Sequence, residues 1–290
     1  MTHTELNTQS NTPKISVIIP CYNLGAYIDE AVDSVLTQTC QDFEIIIVDD
    51  GSTDPFTVRL MEKYDRPKTR ILRTKNQGLA TARNTGITAA RGQYILPLDA
   101  DDKIGKSYLA QASMILDNRP EIGIVYCRAR YFGAREEETN SEPFSIETML
   151  IRNLIFASAM FRKSSWQKVG GYNPLMVHGY EDYDFWISLL DIEKVGVYRI
   201  NEILFYYRVR KDSMINTLLA NEENMIDMFT QIFYNHCDFF LRDRRMRILI
   251  AEKHRLDKAL EASLSRYPRT ELLFMMFKRW LSKFRDQFKS

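Results

Sequence analysis

The chain has 290 residues, 45% of them hydrophobic, with 39 Lys and Arg against 38 Asp and Glu. That is enough apolar material for one large α/β core, and the near-zero net charge gives no long-range attraction to nucleic acid. Cys21, Cys40, Cys127 and Cys237 lie far apart without a C-x-x-C spacing, which argues against a zinc site and for reduced thiols in the cytoplasm.

Taken in chain order, the stretch before Lys14 is polar, with neither the basic start nor the apolar run of a secretory signal. It is expected to be a loose tail, residues 1–13. Ile15–Pro20 is a β-branched run closed by proline, followed by helical spacing over Ala26–Gln38. Phe43–Val48 is a second buried strand that runs straight into Asp49-Asp50-Gly51-Ser52-Thr53-Asp54-Pro55, a row of turn formers. A helix around Thr57–Tyr64, a strand at Arg70–Arg73, a helix opening at Asn76-Gln77-Gly78 and a strand at Tyr94–Leu98 follow.

Alternating strands and helices predict a mainly parallel sheet, with ligands outside the carboxyl ends of the strands. The loops after Pro20, Val48 and Leu98 should then meet in one crevice. Further on, Ile122–Phe132 reads as a strand, Ala134–Pro143 as an acidic loop, Ile146–Leu154 as a helix and Phe156–Phe161 as a strand. Ser164–Val169 reads as a short helix ended by Gly170-Gly171, and a helix carrying Phe185, Trp186, Leu189 and Leu190 starts beyond Gly179. Ile203–Val209 is expected to close this domain, with largely helical structure over 215–290. No apolar run reaches the roughly 20 residues that cross a bilayer, so membrane contact is expected to be peripheral at most.

Asp99, Asp101 and Asp102 stand together immediately after a buried strand. Their mutual repulsion calls for a cation or for hydrogen bonds, and Mg²⁺ or Mn²⁺ shared with diphosphate oxygens is one way to supply it. A solvated acidic turn capping the next helix is the plainer alternative. The company of this triplet raises the first reading. Ser16-Val17-Ile18-Ile19-Pro20-Cys21-Tyr22-Asn23, then Ile47-Val48-Asp49-Asp50-Gly51-Ser52-Thr53-Asp54, then the acidic triplet, resemble in order and spacing the nucleotide-sugar half of glycosyltransferase family 2. Asn76-Gln77-Gly78 and Ala82-Arg83-Asn84-Thr85-Gly86 are similar to the segment lying between those loops in that family.

The resemblance covers about Lys14–Met214. It implies a GT-A fold, a Rossmann-like sheet flanked by helices, with a nucleotide-binding half over about 14–102 and an acceptor half over about 103–214. It also implies an inverting, metal-dependent transferase using a UDP-sugar, with its common business in surface polysaccharide such as O-antigen or capsule. By the same resemblance Pro20 and Tyr22 would line the base pocket, Asp50 would hydrogen-bond the base, and Asn76 and Arg83 would lie near the nucleotide. Asp99 or Asp101 would face the ribose, and Asp101 or Asp102 would bind the metal.

Gly179-Tyr180-Glu181-Asp182 is similar to the family's E-D motif, which makes Asp182 the expected general base and Glu181 an acceptor contact. Carboxylates also favour a helix N-terminus on dipole grounds alone. His178 is a candidate for the metal or diphosphate, against a loop bystander. Trp186 is a candidate for stacking on the acceptor sugar, against a core side chain. Arg208, Arg210 and Lys211 would clamp the diphosphate or form a generic basic loop.

From Leu272 onward large apolar residues alternate with Lys278, Arg279, Lys283 and Arg285. This is the composition of an interfacial helix that would meet an anionic membrane carrying a lipid-linked saccharide acceptor. It equally suits packing on the domain or a homodimer contact. Two other functions compete: an aspartate-dependent phosphotransferase using Asp99, and a catalytically silent nucleotide-sugar-binding subunit. A dinucleotide oxidoreductase lacks its G-x-G-x-x-G turn.

Overall fold

The computed structural model describes residues 12–139, 142–210, 221–242, 247–248 and 251. The chain divides into two compact units, residues 1–239 and 240–290. Lys211 and the amphipathic segment from Leu272 lie outside the described residues. Among the described residues no helix is long and apolar enough to cross a membrane.

The first half alternates as expected: β1 (Ile15–Cys21), α1 (Ile28–Leu36), β2 (Phe43–Asp50), α2 (Pro55–Lys63), β3 (Thr69–Thr74), α3 (Leu79–Ala89) and β4 (Tyr94–Pro97). β1 and β2 are buried along their whole length. Their near-continuous Ile and Val follow from having both faces covered. On α1 the side chains of Ile28, Ala31, Val32 and Val35 form the buried stripe at helical spacing. Asp54 caps α2, accepting from Thr57 N at 2.8 Å.

Then come β5 (Lys103–Ile104), α4 (Tyr108–Asn118), β6 (Ile122–Gly133), β7 (Glu137–Glu138), α5 (Ile146–Met149), β8 (Met160–Arg162), α6 (Lys163–Val169) and α7 (Glu181–Ser188). A π-turn over Leu189–Glu193 leads to β9 (Gly196–Val209), and α8 (Glu222–Asn235) and α9 (Cys237–Arg242) follow. The sheet order is β3-β2-β1-β4-β8-β6-β9-β5, with β7 on the side of β6. The expected mainly parallel sheet is therefore mixed. β3-β2-β1-β4 and β6-β9 are parallel, whereas β8 runs antiparallel to both β4 and β6. Strand order reverses between β1 and β4, and such a switch point opens a crevice at the carboxyl ends.

Four local expectations shift, each for a tertiary reason. Helix 146–154 stops at Met149, and strand 156–161 shrinks to Met160–Arg162. Between them the backbone answers to other partners: Ile155 N donates to Asn153 Oδ1, and Ile155 O accepts from Trp186 Nε1. β9 begins seven residues before Ile203, because Gly196–Ile200 pairs in parallel with β6. The acidic loop contains β7, anchored where Glu138 bridges Arg128 and Arg130 at 2.7 and 3.1 Å.

Candidate active site

Of the loops expected to converge, those after β1 and β2 are joined by side chains, and the loop after β3 joins them. Asn23, in the left-handed region at φ 57°, accepts from Thr53 N and Asp54 N at 2.8 Å each and donates its own N–H to Ser52 Oγ at 3.0 Å. This stitches the loop after β1 to the loop after β2. Gly51, at φ 72°, lies so close to the next loop that a Cβ there would stand 2.5 Å from Asn76 N. Only glycine fits that approach. Asp50 Oδ1 accepts from Thr74 Oγ1 at 2.8 Å, and its Oδ2 accepts from Gly78 N at 2.9 Å. The residue expected to hydrogen-bond a base is thus 4% exposed and gives both oxygens to the loop after β3. Pro20 is buried within β1, while Tyr22 is 44% exposed and Asn76 is exposed beside Gly51.

Past β4 the acidic triplet folds into a tight turn, with Asp102 N donating to Asp99 O at 3.0 Å. The end of β9 is fastened to it. Arg208 N donates to Asp102 Oδ1 at 2.8 Å, Arg208 Nε to Asp101 O at 2.8 Å, and Arg210 Nε to Asp101 Oδ2 at 2.7 Å. Arg208 also pairs with Glu30 at 2.8 Å. The two arginines therefore hold the acidic turn in this structure, where the resemblance gave them the diphosphate. Burial, reinforced by the charge of Asp99, raises the carboxyl of Asp101 above the ordinary range. Burial and the charges of Asp101 and Asp99 raise Asp102 far above it.

Arg83 is not a surface cation. It is fully buried on α3, and its guanidinium joins the two halves by pairing with Asp99 Oδ1 at 2.7 Å and with Glu181 Oε1. Burial alone would lower its pKa, but Asp99 and Glu181 more than offset that and hold it raised. Glu181 is 4% exposed and spends an oxygen on this pair rather than standing free for an acceptor.

Asp182 is the second residue of α7, which follows an unusual approach with Gly179 at φ 119° and Tyr180 at φ 59°. A tyrosine in the left-handed region is uncommon, and such outliers cluster at functional sites. The Tyr180 ring packs on Phe229 of α8, with centroids 5.2 Å apart. Asn153 Nδ2 donates to Asp182 Oδ2 at 3.1 Å, and Tyr183 N donates to its Oδ1 at 2.7 Å. Burial first, then the Glu181 charge, push the Asp182 carboxyl up to about 7, although Arg83 and the Tyr183 amide pull the other way.

A cavity of about 300 Å³ brings these groups together. Arg83, Asp99, Asp102, His178, Glu181 and Asp182 line it, as do Asn153, Tyr131, Phe156, Tyr180, Phe205 and Tyr207. Pro20 and Asp50, at the ends of β1 and β2, and Tyr22 and Asn76, in the loops after β1 and β3, are not among its lining residues, and Lys211 lies outside the described residues. Trp186 does not meet the cavity. It is 0% exposed with its indole N–H bonded to Ile155 O at 3.1 Å, which makes it a core side chain and corrects its placement against an acceptor sugar. Sequence reading missed Asn153 and the aromatic residues, because they sit in segments whose composition is that of any strand or turn.

A family model described as Glycosyl transferase family 2 matches residues 16–177. An uncharacterized glycosyltransferase of Haemophilus influenzae is 32% identical over 222 residues, 73% of this chain and 74% of that protein. The chondroitin synthase of Escherichia coli is 29% identical over 228 residues and the hyaluronan synthase of Pasteurella multocida 30% over 244. These alignments take in 76% and 79% of this chain but only 32% and 25% of those longer proteins. The crystal structure of Staphylococcus aureus TarS 1–349 in complex with UDP-GlcNAc superposes with a TM-score of 0.63 at 21% identity, over 77% of this chain and 66% of that one. That likeness concerns the fold, a mixed α/β sheet with flanking helices of the GT-A type. With its motifs gathered in the crevice at the switch point and more than half its length matched by the family model, the chain belongs to glycosyltransferase family 2.

Proposed function

We propose that the protein is an inverting, metal-dependent transferase that moves a sugar from a UDP-sugar to an acceptor hydroxyl during polysaccharide synthesis, with Asp182 as general base. The observation that carries this reading is the Asp182 carboxylate. It opens onto the same cavity as Asp99 and Asp102, and its pKa of about 7 suits proton abstraction near neutral pH. The relatives named for chondroitin and hyaluronan synthesis and the UDP-GlcNAc-bound structure support the donor and product classes.

In this mechanism Asp182 takes the acceptor proton, the freed oxygen lone pair bonds to the anomeric carbon, and the bond from that carbon to the diphosphate oxygen breaks. One displacement inverts the centre. Asn153 orients the base: its own oxygen accepts from Ile155 N, so its amide nitrogen is the end turned to Asp182.

The acidic turn fits a divalent ion. Asp102 and Asp101 are carboxylates whose ionisation is suppressed by burial and mutual repulsion, the situation a cation relieves. Among the described residues no group of three or more His, Cys, Asp or Glu is placed to hold an ion alone. An ion held there would therefore need substrate phosphates to complete its shell beside one or two carboxylates, as Mg²⁺ and Mn²⁺ commonly take them. When bound, the ion would neutralise charge on the departing diphosphate. The phosphotransferase alternative requires Asp99 as a nucleophile, and Arg83 already holds its Oδ1.

The test is donor binding and hydrolysis across UDP-, GDP- and dTDP-sugars with and without Mn²⁺, for the wild type, Asp102→Asn and Asp182→Asn. Metal-dependent selection of a UDP-sugar, with Asp182→Asn binding but not transferring, is the expected result. Absence of binding to every sugar nucleotide overturns the proposal, and binding without transfer to any acceptor indicates the catalytically silent subunit.

A further inference from the structure

With Trp186 in the core, the aromatic surface of the cavity comes from elsewhere. Phe205 and Tyr207 stand two apart on β9 and so share one face of the sheet. The parallel register puts Tyr131 of β6 beside Tyr207 on that same face. Phe156, from the irregular turn between α5 and β8, packs 5.3 Å from Phe205 and 6.0 Å from Tyr207. Tyr131 closes the row, 5.9 Å from Tyr207 and nearly perpendicular to it at 77°. Phe156, Tyr207 and Tyr131 are only partly buried, and all line the cavity that holds Asp182.

The charged lining sets a second constraint. Among the described residues lining the cavity, Asp99, Asp102, Glu181, Asp182 and His178 share one arginine, Arg83, and that guanidinium is already engaged by Asp99 and Glu181. A phosphorylated acceptor would find no unengaged arginine among the described lining residues to pair with, since Asp99 and Glu181 hold Arg83. An uncharged pyranose needs no such partner. Its axial C–H bonds form an apolar face with positive character, complementary to the negative face of an aromatic ring, while its hydroxyls stay free for the carboxylates. A volume of about 300 Å³ lies at the small end of ligand pockets, the scale of a sugar ring.

We propose that Phe156, Tyr207 and Tyr131 form a stacking platform for the acceptor, and that the acceptor presents an uncharged pyranosyl unit there rather than a polyol phosphate or lipid phosphate. This inference rests on Asp182 being the base that the platform serves.

The experiment measures hydrolysis and transfer from UDP-GlcNAc, UDP-glucose and UDP-galactose. Acceptors are methyl β-D-glucopyranoside, methyl N-acetyl-β-D-glucosaminide, methyl β-D-galactopyranoside, glycerol 3-phosphate, ribitol 5-phosphate and a polyprenyl phosphate. Transfer to a glycoside is expected. Phe156→Ala should raise the glycoside KM about tenfold with kcat within about threefold, and Phe156→Tyr should restore it. Thermal melting of the same preparations separates a folding defect from a lost platform. Tyr131→Ala, at the end of the row, gives a second and smaller KM rise that does not depend on Phe156. Preference for a phosphorylated acceptor, or a glycoside KM unmoved in both alanine variants, overturns the platform while leaving Asp182 as base. A wild-type protein that neither hydrolyses nor transfers overturns both readings.

Discussion

The donor side and the acceptor side of this site are built differently. Around β1, β2 and β3 the loops are tied to one another by exchanges such as Asn23 to Thr53 and Asp54 and Asp50 to Thr74 and Gly78, each within a single βαβ span. The acceptor side is assembled from afar: Arg83 reaches Glu181 across 98 residues, and Arg208 reaches Asp102 across 106. A loop that closes on its neighbours carries its purpose in consecutive residues. A surface assembled from distant segments does not.

The contrast can be broken by substitution. The largest effect is expected at Asp182, the proposed base on the acceptor side. Asp182→Asn should lower kcat by about 10²–10⁴-fold while donor affinity, measured by calorimetry, stays within about threefold. A parallel loss of donor affinity would mean that the two sides are not separable. Arg83→Met removes the buried tie between them and leaves Asp99 and Glu181 without their shared partner. It should cost about 3–5 kcal/mol, seen as a fall in Tm of about 10 °C, and an unchanged melting curve would deny the tie.

Gly171 tests the backbone beneath the acceptor side. It sits at φ 85°, and a Cβ there would stand 2.7 Å from Asn84 Oδ1, the oxygen that accepts from Tyr172 N and Trp166 Nε1. Gly171→Ala should therefore destabilise by about 2 kcal/mol in urea unfolding, with donor affinity retained.

The finest expected effect is on pH dependence. Because the folded-state pKa of Asp182 is raised to about 7, the proposed base is mostly ionised only above that value, so kcat/KM for the acceptor should fall as pH drops through it. The same raised pKa means that holding Asp182 ionised costs folding free energy as pH rises from the ordinary carboxylate range toward 7. Asn153→Ala removes a donor to the carboxylate and should move the kinetic pKa upward by about one unit, whereas a purely structural role would leave the profile in place.

Most of the donor half was legible. Strands of uninterrupted Ile and Val, turn formers at their ends and a left-handed glycine each state a local requirement, and β1 through β4 fall within a few residues of expectation. On the acceptor side Asp182 was named through the resemblance to the family's E-D motif, since carboxylates at a helix N-terminus suit the dipole on their own. Asn153 and Phe156 were not, because helical spacing over 146–154 and strand-like residues over 156–161 were overridden when Trp186 and Asn153 captured the backbone of Ile155. Trp186 stayed open between sugar contact and core for a related reason. Helical spacing puts an aromatic on a face, but whether that face meets core or cavity depends on packing that no local pattern records. Arg83 was located but not understood, since a cation after a glycine turn gives no sign that its partner lies nearly a hundred residues ahead.

The position of Arg83 also limits how the protein can be divided. The four strands of the nucleotide half are complete at Pro97, and the family match ends at residue 177, before Glu181. A fragment cut after Pro97 would retain the buried guanidinium while losing both of its counter-charges, and one cut after residue 177 would lose Glu181. The nucleotide half is therefore not a cassette to be lifted out and joined to a foreign acceptor half. A chimera that exchanges the acceptor side must import a carboxylate at position 181, or replace Arg83 in the same step.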